Sequence, residues 1–246
     1  MTEETTQEQT VGILAYGSLI SDPRAEIESA RTDIIRDVTT PFPVEFARSS
    51  DGRGGAPTLV PVTTGGAQVR GQVFVMDVSE AEATDILYRR EIGKVGDITR
   101  TYTRPEPVTP KTVLIERLTN FTGLDVVLYT QIAATITPLT AKHLAELAIA
   151  SVAKAPHGLD GISYLIAAKK HGIETALSPA YEAEILKETQ CESLDDALKM
   201  LLAKATGVCQ RSCPPISCGV SDFRGAGFTF GVEPDGPGGL PVAGFA

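Results

Sequence analysis

The amino-acid sequence predicts an α+β protein in which a strand-rich part precedes a helical part. Between residues 11 and 135, short runs of β-branched residues alternate with Gly, Pro and Asp, which is typical of strands bounded by turns. From residue 140 to 206 the apolar residues recur every three to four positions, as they do on one face of a helix. We therefore expect one domain at 11–206, with a sheet core at 11–135 and a helical extension at 140–206.

Six runs in the first part predict strands. They are VGILAY (11–16), VEFARS (44–49), TLVPV (58–62), GQVFVMDV (71–78), KTVLIERL (111–118) and DVVLYTQIA (125–133). Two helices are expected between them. One follows Asp22 and Pro23, with the aspartate as N-cap and the proline at the first helical position. The other begins at Ser79, which forms a capping-box pattern with Glu82.

Four segments in the second part predict helices. They are TAKHLAELAIASVAKAP (140–156), LDGISYLIAAKKHG (159–172), SPAYEAEILKE (178–188) and SLDDALKMLLAKATG (193–207). The flanking segments have a different composition. Residues 1–10 are polar and predict a disordered tail, whereas residues 207–246 contain many Gly and Pro, and three Cys, and predict an extended or disordered tail.

The charge of the chain excludes two classes of partner. With 22 Lys and Arg against 31 Asp and Glu, the net charge is −9, which leaves no basic excess to neutralise nucleic acid or an anionic membrane. No apolar stretch reaches the roughly 18–20 residues that span a bilayer. The N-terminal segment lacks the basic and hydrophobic regions of a secretory signal. We therefore expect a cytoplasmic protein without nucleic-acid or membrane partners.

The cysteines give no metal-site signature. Cys209, Cys213 and Cys218 have C-x3-C-x4-C spacing, whereas structural zinc sites usually use C-x2-C pairs with a distant second pair. No nucleotide-binding motif is present either. We expect no metal and no organic cofactor.

A glutamate at the end of the second predicted helix is a candidate acid/base. Glu91 lies four residues after Leu87, beside the apolar stripe of that helix, and in the last turn before Gly93. The helix dipole and partial burial both favour the protonated carboxyl, whereas Arg89 and Arg90 favour the ionised form. The alternative is a solvated Glu that pairs with a neighbouring Arg.

The loop after the first strand is a candidate binding element. Gly17 allows unusual dihedrals and close approach of a ligand, and successive amide N–H groups of Gly17, Ser18 and Leu19 can form an anion-binding nest. Tyr16 precedes them as a candidate pocket wall. The alternative is an ordinary turn.

Four motifs together are more specific. AYGSL, GAPTLVPVTTGGAQVRGQVFVMD, LYRRE and VVLYTQIA follow in this order and resemble the γ-glutamylcyclotransferase-like family, most closely its ChaC-like branch, whose members act on glutathione. The resemblance covers about residues 11–200 and includes GLDGISYLIAAKKHGI. It implies a mixed, barrel-like sheet with flanking helices.

The resemblance also implies an activity. The enzyme would cyclise a γ-glutamyl amide, either glutathione or a γ-glutamyl amine, to 5-oxoproline and release the amine. Glu91 would be the general acid/base, residues 16–19 would hold the γ-glutamyl group, and Tyr129 would line the pocket. The implied partner is this small-molecule substrate. A homodimer is a further expectation that the sequence leaves open.

One departure from the ChaC-like pattern weakens the assignment of glutathione. After Glu91 the chain continues as EIGKVGDITRTY, where that branch has a Gly-Gly-Tyr-type stretch, and the next tyrosine is Tyr102. The alternative function is a non-catalytic small-molecule-binding or interaction protein that keeps the fold.

Overall fold

A computed structural model describes residues 9–206 and confirms the α+β class. The tail predicted at 207–246, with its three cysteines, and most of the tail predicted at 1–10 lie outside the described residues. The strands are β1 Val11–Ala15, β2 Arg31–Thr39, β3 Val44–Ser50, β4 Ala56–Pro61, β5 Arg70–Met76, β6 Leu114–Phe121 and β7 Leu124–Gln131. The helices in this range are α1 Ser18–Ser21, α2 Arg24–Ala30, α3 Glu80–Glu91, α4 Ala141–Ser151, α5 Gly161–Lys170, α6 Ser178–Thr189 and α7 Leu194–Ala205.

The main sheet is mixed and has β1 at its centre. Its strand order is β2-β5-β1-β7-β6, and β1 runs antiparallel to β5 but parallel to β7. Ile13 packs with residues of α3 on one face, while Leu14 packs into a second cluster on the other face. Because successive strand residues point to opposite faces, all five residues of β1 are buried. This explains its uninterrupted apolar run.

A second core joins the helical extension to a two-stranded sheet. Strands β3 and β4 pair antiparallel, and Phe46 of β3 packs edge-on against Tyr164 of α5 and Tyr181 of α6. The side chain of Glu45 is fully buried beside them. Its carboxylate accepts hydrogen bonds from the Thr175 hydroxyl and from the amide of Leu177 at 3.0 Å. Glu45 therefore ties β3 to the segment between α5 and α6.

Three predicted helix boundaries are confirmed. The Ser79 hydroxyl accepts a hydrogen bond from the Glu82 amide at 3.3 Å at the start of α3. The Asp160 carboxylate accepts one from the Ser163 amide at 2.9 Å at the start of α5. Gly172 follows the end of α5 with a positive φ of 68°. Within residues 9–206, every helix is too short or too polar to cross a bilayer.

Three details differ from the prediction. The five-stranded sheet has β2 and β6 at its edges and does not close into a barrel in the described part of the chain. Strand β2 was not predicted, because it is a mostly exposed edge strand with two register irregularities. At α2, Asp22 does not cap the helix. Its carboxylate pairs with Arg24 at 2.9 Å, and the helix begins after Pro23.

Candidate functional site

The chain turns sharply at Gly17, directly after β1. Its φ of 69° and ψ of −136° suit glycine, and a Cβ atom built there would lie 2.5 Å from the hydroxyl of Tyr164. The short helix α1 begins at the next residue, Ser18. The glycine therefore lets α5 pack directly on the loop that follows the central strand.

The end of α3 carries a largely buried ion pair. Arg90 Nη1 donates to Glu91 Oε1 at 2.7 Å, and the two side chains are 12% and 14% exposed. Arg90 Nη2 also donates to the carbonyl oxygen of Asp22 at 2.9 Å and to the Ser18 hydroxyl at 3.3 Å. The alternative to an acid/base role was a solvated Glu91 paired with a neighbouring arginine. The arginine partner is present, but the carboxylate is largely buried. Arg90 joins the end of α3 to the loop after β1.

These elements line a narrow pocket of about 60 Å³, here called the inner pocket. Its walls come from β1, the loop after it, β4, the end of α3, the end of β7 and α5. The residues are Leu14, Tyr16, Ser18, Leu19, Leu59, Val60, Pro61, Arg90, Glu91, Thr130, Ile132 and Tyr164. The structure therefore brings four of the six predicted site residues around one space.

The other two predicted residues lie beside the inner pocket. Gly17 lines a neighbouring cavity on the α5 side of the loop. Tyr129 packs on Phe42, with 4.5 Å between the ring centroids, and is not part of the pocket wall. Since neighbouring strand residues point to opposite faces, it is Thr130 that lines the pocket at this level of β7.

Besides Ser18, three residues place hydroxyl groups at the inner pocket. Tyr16 Oη donates to the carbonyl oxygen of Thr130 at 2.6 Å. Burial, followed by the charge of Glu91, raises the pKa of Tyr16 well above its ordinary value. Burial likewise raises the pKa of Tyr164, against the charge of Arg53 and the nearby amides of Leu59 and Ser18. Both phenols therefore stay protonated at neutral pH and can donate hydrogen bonds.

Thr130 supplies the third hydroxyl. Its Oγ1 atom is buried and has no hydrogen-bond partner in residues 9–206. Buried hydroxyls are almost always paired, so this unpaired hydroxyl is an exception within the pocket wall.

The inner pocket adjoins a wider space of about 490 Å³, here called the outer cleft. The two share Ser18, Leu59, Val60, Arg90, Glu91, Ile132 and Tyr164. Glu91 therefore lies at their junction, where a carboxylate can exchange protons with groups on both sides. Of its two oxygens, Oε1 is paired with Arg90, and Oε2 accepts no hydrogen bond from the described residues.

The inner pocket also contains three residues that were not predicted as site residues, namely Arg90, Thr130 and Tyr164. The sequence contains a pattern that points to Arg90, because this residue continues the apolar stripe of α3 in place of an aliphatic residue. Another points to Tyr164. It lies on the buried face of α5, and a buried phenol requires a polar partner. No pattern in the sequence points to Thr130, since its place in the wall of the inner pocket depends on how β7 pairs with β1.

The described residues hold no metal-binding cluster of His, Cys, Asp or Glu side chains. Cys209, Cys213 and Cys218 lie outside them.

Comparisons of the chain with models of known protein families, with curated proteins and with solved structures find no match.

Proposed function

We propose that this protein is a γ-glutamylcyclotransferase, a cytoplasmic enzyme that converts a γ-glutamyl amide into 5-oxoproline and a free amine without a metal or organic cofactor. The observation that carries the proposal is the position of Glu91 at the junction of the inner pocket and the outer cleft. The sequence resemblance to the γ-glutamylcyclotransferase-like family, and to its ChaC-like branch, supports the same assignment.

The reaction needs a proton carrier at such a junction. The α-amine of the substrate attacks its own γ-carbonyl carbon, the new C–N bond closes a five-membered ring, and the bond to the leaving amine breaks. One proton leaves the attacking amine and one must reach the departing nitrogen. With the γ-glutamyl group in the inner pocket and the leaving amine in the outer cleft, Glu91 borders both nitrogens and can carry the proton between them.

The remaining groups suit positioning and charge stabilisation. Confinement in the inner pocket favours the folded-back conformer of the γ-glutamyl chain, which can supply several kcal/mol of the barrier. The hydroxyls of Ser18, Thr130 and Tyr164 can donate to the substrate carboxylate or to the oxyanion that develops on the γ-carbonyl oxygen. The salt bridge from Arg90 fixes one oxygen of Glu91 and leaves the other for proton transfer.

The test is the release of 5-oxoproline from glutathione and from a panel of γ-glutamyl amines. We expect the protein to release it from at least one of them, and Glu91→Gln to reduce kcat by about a hundredfold or more. Glu80→Gln, on the same helix but outside the pocket, is the matched control and should keep full activity. A Glu91→Gln variant as active as the parent would remove Glu91 from the mechanism.

The ion pair at Glu91 favours a second candidate function, a protein that binds a γ-glutamyl compound or 5-oxoproline without turnover. A carboxylate held by Arg90 can also serve as a fixed hydrogen-bond acceptor for a ligand ammonium group. Saturable binding without product release from any compound in the panel would support this candidate.

A further inference from the structure

The outer cleft has a charge opposite to that of the whole chain. Two carboxylates line it, Asp22 and Glu91, in a protein whose net charge is −9. The cationic side chains in its lining are Arg24, Arg48, Arg53, Arg90 and Lys111. A cleft lined by a surplus of one charge concentrates ligands of the other sign. The outer cleft therefore favours an anion.

The surplus is carried by three of these five cations. Arg90 is paired with Glu91 at 2.7 Å and Arg24 with Asp22 at 2.9 Å. Arg48, Arg53 and Lys111 form no salt bridge with any carboxylate in residues 9–206. Three positive charges thus remain without a salt-bridge partner in this part of the chain.

Two of the three are held in place. Arg48 Nη1 donates to the carbonyl oxygens of Pro110 at 2.8 Å and Ala133 at 2.9 Å. Burial lowers the pKa of Arg48, and the charge of Asp51 opposes this only in part. A partly desolvated guanidinium without a carboxylate partner is stabilised by an anionic ligand.

Arg53 connects the cleft to the inner pocket. Its guanidinium lies over the ring of Tyr164, 4.7 Å from the centroid, and donates to the carbonyl oxygen of Leu159 at 3.3 Å. Guanidinium groups fixed in this way match the planar geometry of carboxylates. The cations therefore lie next to the position where the leaving amine departs in the proposed reaction.

We infer that the amine released by this protein is a dicarboxylate, such as an acidic amino acid or a peptide that begins with one. This inference rests on the proposed function, since it assigns the leaving group to the outer cleft. Arg48, Arg53 and Lys111 then bind the carboxylates of the leaving group, while the inner pocket binds the γ-glutamyl part common to all substrates.

Three synthetic compounds test the inference, with 5-oxoproline release as the readout. γ-Glutamylglutamate has two carboxylates on the leaving amine, γ-glutamylglutamine has one at nearly the same size, and γ-glutamylbutylamine has none. We expect kcat/KM for the first to exceed that for the second by roughly fivefold or more, as for one ion pair that is partly shielded from water. The difference should shrink at high salt, because salt screens exposed charges.

Two variants test whether the cations of the outer cleft cause this preference. Lys111→Gln, at an exposed residue, and Arg48→Gln should each lower the ratio for γ-glutamylglutamate over γ-glutamylglutamine by about twofold or more. Lys170→Gln and Arg36→Gln remove exposed cations outside the outer cleft and are the matched controls. They should leave the ratio unchanged.

The outcomes separate this inference from the proposed function. Equal kcat/KM for all three compounds, or a ratio that Lys111→Gln and Arg48→Gln leave unchanged, overturns the inference and keeps the function. If no compound is turned over, the function fails, and titration of the protein with the same compounds decides the inference. Tighter binding of γ-glutamylglutamate then supports a dicarboxylate site, and equal binding overturns it.

Discussion

At Gly17 the backbone and a neighbouring side chain each exclude larger residues. The positive φ disfavours any residue with a Cβ atom, and the Tyr164 hydroxyl occupies the place of that atom. Gly17→Ala should therefore lower the free energy of unfolding by about 1–3 kcal/mol. Urea denaturation followed by circular dichroism measures the loss.

Two variants check the cause. Gly52→Ala is the matched control and should be nearly neutral, because a Cβ atom there meets nothing within 4 Å. Adding Tyr164→Phe to Gly17→Ala removes the close oxygen but not the backbone strain, so it should restore only part of the stability. A neutral Gly17→Ala variant would contradict both constraints.

The hydroxyl of Thr130 should oppose stability and, under the proposed function, favour binding. Its Oγ1 atom is buried without a partner in the described chain, so Thr130→Val should leave the free energy of unfolding unchanged or raise it by up to about 1 kcal/mol. The same change removes a donor from the inner pocket and should weaken binding of a γ-glutamyl ligand by roughly 2- to 10-fold. Denaturation and calorimetric titration measure the two effects.

The exposed Thr119 of β6 provides the control for that comparison. Thr119→Val should change neither stability nor ligand affinity by a comparable amount. Loss of stability in Thr130→Val without loss of affinity would show that the hydroxyl serves the fold and not a ligand.

At the scale of elements, the buried carboxylate of Glu45 holds β3 to the segment before α6. It accepts hydrogen bonds from Thr175, from the amide of Leu177 and from its neighbouring amide at Phe46. Glu45→Gln turns one acceptor oxygen into a donor that faces other donors, and should lower the free energy of unfolding by about 2–4 kcal/mol. Equilibrium unfolding in urea tests this.

The nearby Glu174 serves as the control, because it is exposed. Glu174→Gln should stay within about 0.5 kcal/mol of the parent. If Glu45→Gln is as mild as this control, the carboxylate does not join the two elements.

How far an element can be predicted depends on where its residues face. Strands β1 and β5 lie inside the sheet, so every residue of β1 and the last four residues of β5 are apolar, and both runs are clear in the sequence. Strand β2 lies at an edge, mixes Ile34 and Ile35 with charged residues, and is interrupted by register irregularities. Its local pattern therefore resembles a loop, and its pairing with β5 alone makes it a strand.

The same limit applies to the candidate site. Glu91 is visible in the sequence, because the apolar stripe of its helix and the helix end are both local patterns. Tyr164 and Thr130 reach the inner pocket through packing between elements more than a hundred residues apart along the chain, and no local pattern specifies that packing.

At the scale of the whole molecule, buried phenols set the response to alkali. Burial raises the pKa values of Tyr16, Tyr129, Tyr164 and Tyr181 in the folded state, whereas an unfolded tyrosine titrates near pH 10. Between these values the folded state binds more protons than the unfolded state, so stability falls as pH rises. From these phenols we expect no change in the free energy of unfolding between about pH 7 and 9 and a decline above about pH 10.

A single substitution tests the expected fall of stability with rising pH. The Tyr181 hydroxyl is buried without a partner in the described residues, so Tyr181→Phe should cost little at neutral pH. Above pH 10 it should reduce the slope by up to about 1.4 kcal/mol per pH unit. Urea titrations at pH 7 and between pH 9 and 11 measure both. An unchanged slope would mean that Tyr181 does not contribute to the alkaline transition.

The contact of Gly17 with Tyr164 has a consequence for the timing of synthesis. A nascent chain that has emerged from the ribosome as far as residue 135 already contains all the strands of the main sheet, but α5 and its phenol have not yet emerged. The sheet can therefore assemble on the ribosome while the loop after β1 still lacks its neighbour. The inner pocket is complete only when the helical extension docks, so assembly of the sheet and completion of the pocket are separate events in the life of each molecule.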